Sequence, residues 1–224
     1  MEQMKRFAVY YAPEPGAFAD AAAEWLGWDP VAGRAVVQPM ADLAGRTADP
    51  ARYGFHGTIK PPFRLAEGMG LADLHTGLLN LAASLQPIEM PGLDLVQIDG
   101  FMALVPQGDV SALADLAARV VQGLEPFRAP LNAAEITRRR PERLTPRQRD
   151  LLDRFGYPYV MEQFQFHLTL TDRLTEAEAA PLRAMAMAHF GPRMPRPFRL
   201  SQLCLFGEPQ SGAFHLLHRY PLAA

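Results

Sequence analysis

Apolar positions along the chain alternate in two ways, and the two patterns divide it into strands and helices. Apolar residues at every second position are typical of half-buried strands, whereas spacings of three and four are typical of amphipathic helices. Alternating or β-branched segments predict strands over residues 6–12, 53–60, 94–98, 101–105, 163–171, 197–206 and 213–219. Helical spacing predicts helices over residues 17–27, 71–85, 109–124, 146–156 and 176–189, whereas residues 29–52 are predicted to be mostly loop.

Three of the predicted helices begin at recognisable capping residues. Thr145 is followed by a proline and, three positions later, by Gln148, which together form a capping box with proline in the first turn. Thr175 and Glu178 form a second capping box, and Asp109 is a suitable cap for a third helix. These signals fix where the helices of the second half of the chain start.

The order of the elements predicts an α+β protein built from two similar lobes. Strand, helix, strand, helix and strand pair are followed by helix, strand, helix and strand pair. Helices packed on the outer side of two small antiparallel sheets would bury both apolar faces. We therefore expect a single bilobal domain over residues 1–224, with lobe one at about 1–106 and lobe two at about 107–224.

One short pattern occurs twice, in residues 55–59 and in residues 166–170: aromatic, His, any residue, Thr, aliphatic. Side chains of a strand alternate between its faces. The first copy therefore places His56, Thr58 and Lys60 on one face. The second places Gln165, His167, Thr169 and Thr171 on one face, and a β-bulge would break either alternation. Two such strands side by side would direct two imidazoles and two hydroxyls into one cleft.

This set of side chains suits the cleavage of a phosphodiester without a metal. One histidine acts as base and the other as acid, because imidazole titrates near neutral pH. Hydroxyls of threonine and the ammonium of lysine bind phosphoryl oxygens. The sequence thus predicts His56 and His167 as the catalytic acid–base pair, no cofactor, and a small phosphorylated substrate; the predicted phosphate-binding residues are Thr58, Thr169, Lys60 and Thr171.

Two further groups of residues are candidates for substrate contacts, and each has an ordinary alternative. The arginine-rich segment either stays solvated, as most charge runs do, or closes over an anionic substrate through Arg138, Arg139, Arg140 or Arg143. Tyrosine side chains either pack in the core or provide a stacking surface for a base or sugar. The tyrosines concerned are Tyr10, Tyr11, Tyr53, Tyr157 and Tyr159.

Composition and missing motifs exclude several other classes of function. A net charge of −2 does not favour an extended nucleic-acid surface. The single cysteine, Cys204, excludes an intramolecular disulfide and is predicted to be a buried, inert thiol. No apolar segment is long enough to span a membrane, so a cytoplasmic location is predicted. Metal-binding patterns, the GxSxG elbow, the P-loop and GxGxxG are all absent from the sequence.

The paired motifs resemble those of the 2H phosphoesterase superfamily, which includes the RNA 2′,3′-cyclic phosphodiesterases. The longer segments 52–63 and 157–171, together with the Thr145 helix start, resemble the DUF1045 family, which is associated with phosphonate metabolism. The resemblance implies a bilobal LigT-like fold with pseudo-two-fold symmetry. It also implies a metal-free phosphodiesterase acting on a small cyclic phosphate, with His56 as proton donor and His167 as acceptor. A non-catalytic protein that binds a phosphorylated metabolite or an RNA end stays an alternative.

Overall fold

The computed structural model describes residues 4–210 and 212–223. Its strands are β1 Met4–Tyr11, β2 Trp28–Asp29, β3 Arg34–Ala35, β4 Gly57–Phe63, β5 Ile88–Met90, β6 Leu93–Ile98, β7 Phe101–Pro106, β8 Leu168–Thr169, β9 Phe198–Leu200, β10 Gln202–Pro209 and β11 His215–Pro221. Its helices are α1 Ala17–Leu26, α2 Ala48–Tyr53, α3 Leu71–Ala82, α4 Ser111–Gly123, α5 Ala133–Arg138, α6 Pro146–Phe155 and α7 Glu176–Phe190.

Seven strands form one antiparallel sheet in the order β11-β10-β1-β4-β8-β7-β6. Two smaller pairs, β2–β3 and β5–β9, lie outside it. This mixture of helices with a large antiparallel sheet confirms the predicted α+β class. None of the helices within the described ranges is long and apolar enough to cross a bilayer.

The two motif strands, β4 and β8, are neighbours at the middle of this sheet. On one side of β4 the sheet continues into β1, β10 and β11, and on the other side of β8 it continues into β7 and β6. Strand β10, near the C-terminal end, pairs with β1 and so crosses the predicted boundary near residue 106. The division into two lobes stays a prediction.

Residues of β1 alternate between two apolar clusters, one on each face of the sheet. Phe7, Val9 and Tyr11 belong to the main core, which α1, α3, α4 and α7 cover. Ala8 and Tyr10 face the other way, into a smaller cluster that includes Phe206 and Phe214. The period of two is the one expected of a strand buried on both sides. The face that carries Tyr10 is also the one that carries an open cleft.

Among the boundaries that differ from those predicted, two lie beside the motifs. The predicted strand 53–60 is preceded by α2, which ends at Tyr53, and begins only at Gly57. Carboxylate oxygens of Asp172 accept hydrogen bonds from the N–H groups of Ala48 and Asp49 at 3.0 and 2.9 Å, which stabilises the start of α2. The predicted strand 163–171 is regular only over β8, because a 3-10 turn over Met161–Gln163 precedes it.

Candidate active site

The pairing of β4 with β8 brings the two repeated motifs face to face. Gly57 pairs with Leu168 in this antiparallel register. The same register sets His56 opposite Thr169 and Thr58 opposite His167, and residues paired across antiparallel strands point to the same face. Extended by one residue on each side, the register thus brings each imidazole next to the threonine of the other motif, and all four side chains line one cavity.

Gly57 permits this close approach of the two motifs. A Cβ atom built at Gly57 would lie 2.3 Å from Cζ of Phe166 and 3.1 Å from a methyl carbon of Leu168. Contacts that short cannot exist, so any larger side chain would push Phe166 away from β4. The glycine inside the first motif is thus required by the aromatic residue of the second.

Both imidazoles are held in the same way by the backbone. Nδ1 of His56 lies 2.8 Å from the carbonyl oxygen of Gly54, and Nδ1 of His167 lies 2.8 Å from that of Gln165. A carbonyl oxygen only accepts, so Nδ1 carries a hydrogen in both rings. This fixes the tautomer and leaves Nε2 of each histidine as the nitrogen that exchanges a proton with a ligand.

The environment of His56 favours its neutral form. Its ring stacks on Tyr10 with the ring centroids 4.0 Å apart. Burial, the largest cause, and the proximity of His167 together lower the pKa of His56 from 6.5 to about 4, against the opposing effect of the Gly54 carbonyl. At neutral pH this imidazole is therefore unprotonated.

Acid should destabilise the protein through His56. Because its pKa is lower in the folded state, the unfolded chain binds this proton at higher pH, and the stability contributed by neutral His56 is lost as pH falls from 6.5 toward 4. Urea unfolding at about pH 7 and about pH 4.5 measures this loss, which should be smaller in a His56→Asn variant. An equal loss in both proteins would contradict the assignment.

The motif side chains line one open cavity of about 510 Å³. The predicted residues that line it are His56, Thr58, His167, Thr169, Thr171, Tyr10, Tyr53, Tyr157 and Arg139. A second cavity of about 490 Å³ shares Thr58 and His167 with it, so the two form a continuous groove. Within the described residues, the hydroxyls of Thr58 and Thr169 make no hydrogen bond. They are available to a ligand.

Lys60 lies on the opposite face from His56 and Thr58, so the predicted shared face is wrong. Tyr10 pairs with Thr58 while Val9 pairs with Lys60, and this register shift marks a bulge in β4. Lys60 is 1% exposed, and its Nζ donates to the Val121 carbonyl and to Glu125, both at 3.1 Å. The lysine joins the sheet to the end of α4.

Removing the ammonium of Lys60 should therefore affect stability more than catalysis. We expect Lys60→Met to lower the free energy of unfolding by about 1–3 kcal/mol, since a buried charge-assisted hydrogen bond is lost. Turnover by the folded variant should stay within about threefold of wild type. Urea unfolding and a kcat measurement on the same preparation check both statements. A folded variant that loses most of its kcat would place Lys60 in the reaction after all.

The remaining candidates divide between the cleft and other parts of the structure. The hydroxyl of Thr171 accepts from the Met102 N–H at 2.9 Å, so it is used in joining β8 to β7. Tyr159 is 48% exposed and lines only the adjoining cavity, whereas Tyr11 packs in the main core. Arg139 is half-buried and lines the cleft. The other arginines of the segment are exposed: Arg138, Arg140 and Arg143.

Sequence reasoning missed Arg6, Phe101 and Arg173, which also line the cleft. The alternation of β1 carried a usable signal, because Arg6 and Tyr10 lie an even number of residues apart and share a face. Phe101 stands beside His167, with ring centroids 5.6 Å apart. Cys204 is fully buried, which raises its pKa to about 11, and this agrees with an inert thiol. No group of three or more His, Cys, Asp or Glu within residues 4–210 and 212–223 is arranged to hold a metal.

Residues 58–215 match a protein family described as "Protein of unknown function (DUF1045)". The chain belongs to the DUF1045 family. The match covers most of the chain, including the second motif, and it confirms the resemblance drawn from the longer motif segments. The name of the family states no activity.

Two curated relatives of this DUF1045 chain are named ribose 1,5-bisphosphate phosphokinase PhnN. The protein from Janthinobacterium sp. (strain Marseille) is 35% identical over 223 residues, which is 95% of this chain and 49% of the relative. The protein from Laribacter hongkongensis (strain HLHK9) is 38% identical over 222 residues, which is 96% of this chain and 51% of the relative. The chain thus spans about half the length of both relatives.

Solved structures resemble the DUF1045 chain only remotely. E. coli LigT complexed with 3′-AMP aligns over 99% of this chain and 100% of its own, with 16% identity and a TM-score of 0.48. TT0787 of Thermus thermophilus aligns over 97% of both chains, with 16% identity and a TM-score of 0.47. Likeness at this level carries no conclusion about the reaction of this chain.

Proposed function

We propose that this DUF1045 protein is a metal-independent phosphodiesterase of the 2H type that opens a cyclic phosphate on a phosphorylated ribose. The observation that supports this most is the β4–β8 register. The pairing of Gly57 with Leu168 and the shared cavity lining support an arrangement in which each imidazole stands beside the other motif's threonine. A phosphorus atom between them would meet a base, an acid and two hydroxyl donors.

In the proposed reaction a water molecule attacks phosphorus while Nε2 of His56 takes its proton. The bond from phosphorus to one ring oxygen breaks, and protonated His167 gives a proton to that oxygen. Thr58 and Thr169 donate hydrogen bonds to the other phosphoryl oxygens, where negative charge accumulates. The products are a phosphomonoester and a free hydroxyl, and proton exchange with solvent restores both histidines.

The low pKa of His56 favours this assignment of base and acid. His56 is unprotonated at neutral pH, so its Nε2 has the free lone pair that a base requires. The family resemblance implies the opposite order, with His56 as donor. The pH dependence of kcat/KM in variants of His56 and of His167 distinguishes the two assignments. Replacing the base removes the acidic limb of the profile, whereas replacing the acid removes the basic limb.

The proposed substrate follows from the name that the relatives carry. Their name states that they phosphorylate ribose 1,5-bisphosphate, and this chain corresponds to about half of their length. Hydrolysis of a 1,2-cyclic phosphate of ribose 5-phosphate at the bond to O2 produces ribose 1,5-bisphosphate. The proposed reaction would therefore supply the compound on which the relatives act.

Phosphorus NMR tests the proposal directly. The purified chain should convert the cyclic diester signal of ribose 1,2-cyclic phosphate 5-phosphate into a monoester signal in the presence of EDTA. Absence of turnover, together with ligand-dependent thermal stabilisation by the same compound, would instead favour a binding protein. Turnover that EDTA abolishes and a divalent metal restores would contradict the metal-independent mechanism.

A further inference from the structure

We propose that the cleft contains a second phosphate subsite, formed by Arg6, Arg139 and the hydroxyls of three tyrosines. It would bind the terminal phosphomonoester of the substrate, beside the paired histidines rather than between them. The inference rests on the proposed function and adds to it a position for the charged group that the reaction does not change.

Arg6 is fixed in the cleft by a buried carboxylate. Its Nε lies 2.5 Å from Glu208, whose side chain is fully buried and also pairs with Arg52 at 2.5 Å and Lys5 at 3.4 Å. Three cations surround one anion, so the group keeps an excess of positive charge. The terminal nitrogens of Arg6 donate to no other described residue, although Arg6 lines the cavity. Glu208 therefore positions the guanidinium without neutralising it.

Arg139 reaches the same cavity from a distant part of the chain. Its guanidinium carbon lies 4.6 Å from the ring centroid of Tyr157, so the aromatic face supports it. Arg64 and Arg147, by comparison, each form a close ion pair with a glutamate. Arg139 forms no ion pair with any described carboxylate. A planar, half-buried guanidinium without a counterion is suited to a phosphate oxygen pair.

Three tyrosines complete the set of hydrogen-bond donors. Tyr10, Tyr53 and Tyr157 line the cavity, and their hydroxyls make no hydrogen bond with the described residues. Burial raises the pKa of Tyr10 and of Tyr157, so both hydroxyls keep their protons and donate. Tyr10 also stacks on His56, which connects this subsite to the proposed reacting centre.

The cavity lining also contains two aspartates, and the carboxylate of one of them is already hydrogen-bonded to the backbone. Asp172 accepts two backbone hydrogen bonds at the start of α2, as described above. Asp49 stands beside it in the lining, with Arg173 as another cation of the same wall. Neither aspartate pairs with Arg6 or Arg139, so both guanidinium groups stay available to an anion.

Arg139→Met tests the subsite, because Arg139 has no structural ion pair with a described residue to lose. Wild type and variant are compared on ribose 1,2-cyclic phosphate with and without the 5-phosphate. We expect kcat/KM for the 5-phosphorylated substrate to fall about 10- to 100-fold, with little change for the other substrate. Arg138→Met, an exposed neighbour in the same segment, is the matched control and should change neither value. Tyr157→Phe should give a smaller loss with the same selectivity.

Two outcomes would overturn the subsite, and each is distinguishable from a failure of the proposed function. Equal losses on both substrates would show that Arg139 does not recognise the 5-phosphate, although the phosphodiesterase activity remains. If neither substrate is turned over, the proposed function fails and calorimetry with ribose 5-phosphate decides about the subsite. If Arg139→Met weakens the binding of ribose 5-phosphate about tenfold, the subsite is supported. If wild type and variant bind it equally well, the subsite is overturned.

Discussion

His56→Ala and His167→Ala should each lower kcat on the cyclic phosphodiester by about 10²- to 10⁴-fold, the usual contribution of a positioned acid or base. The reason is geometric, because each ring presents Nε2 to the cleft and no other imidazole of the described residues lines it. The double variant should lose little more than the worse single variant, since the two groups act on one transition state. Steady-state kinetics with EDTA present measure all three.

His218→Ala is the matched control for these variants. His218 is exposed on β11 and its ring lies beside His75, 5.0 Å between centroids, on a part of the sheet that does not line the cleft. Its removal should leave kcat unchanged. Thermal unfolding of each variant shows whether a lost activity reflects a lost fold. If the two motif variants stay folded and keep wild-type turnover, the proposed mechanism is wrong.

Gly57→Ala should damage both the stability and the activity of the protein. The new methyl group would lie 2.3 Å from Cζ of Phe166, and overpacking of this kind costs about 1–3 kcal/mol. Relief requires β4 and β8 to separate, and a misplacement of about 1 Å between reacting groups lowers turnover by about 10²-fold. Urea unfolding and kcat, measured on the same sample, report the two effects.

Gly45→Ala provides the comparison, because a Cβ at Gly45 meets no atom within 4 Å. Its stability should change by no more than about 0.5 kcal/mol. Adding Phe166→Leu to Gly57→Ala should restore part of the lost stability, because the clash is with the aromatic ring. A double variant that is destabilised by the sum of the single effects would mean that the two residues do not compete for the same space.

Locally determined features were predictable from the sequence. Thr145 accepts from the N–H of Gln148 at 3.2 Å, while the Gln148 side chain accepts from the N–H of Thr145 at 3.1 Å, as the capping box predicts. At Thr175 only half of this exchange forms: the Glu178 carboxylate accepts from the Thr175 N–H at 2.9 Å and from its hydroxyl at 2.6 Å, while the Glu178 N–H donates to the Thr175 carbonyl. Asp109 accepts from the N–H of Ser111 and is not the N-cap residue. Helix α4 therefore starts two residues later than predicted. Spacing and capping depend on neighbours in the chain, which a sequence displays.

Features that depend on distant partners were not predictable. The start of α2 depends on Asp172, which lies 124 positions away, so residues 29–52 carried no signal for that helix. The bulge that turns Lys60 toward α4 satisfies a buried carbonyl at Val121, and only the packed structure reveals it. The place of Arg6 in the cleft depends on Glu208, 202 positions further along. The alternation rule gave Lys60 the wrong face, and it put Arg6 on the face of Tyr10 without showing what holds its guanidinium there.

The pairing of β1 with β10 sets the order in which a nascent chain can assemble the cleft. The pairing of β1 with a strand some 200 positions later requires a long loop to close, which slows folding. During synthesis β1 leaves the ribosome with one edge open until residues 202–209 appear. We therefore expect truncations that end before residue 202 to aggregate or to be captured by chaperones, and Arg6 to reach its place only after translation has passed Glu208.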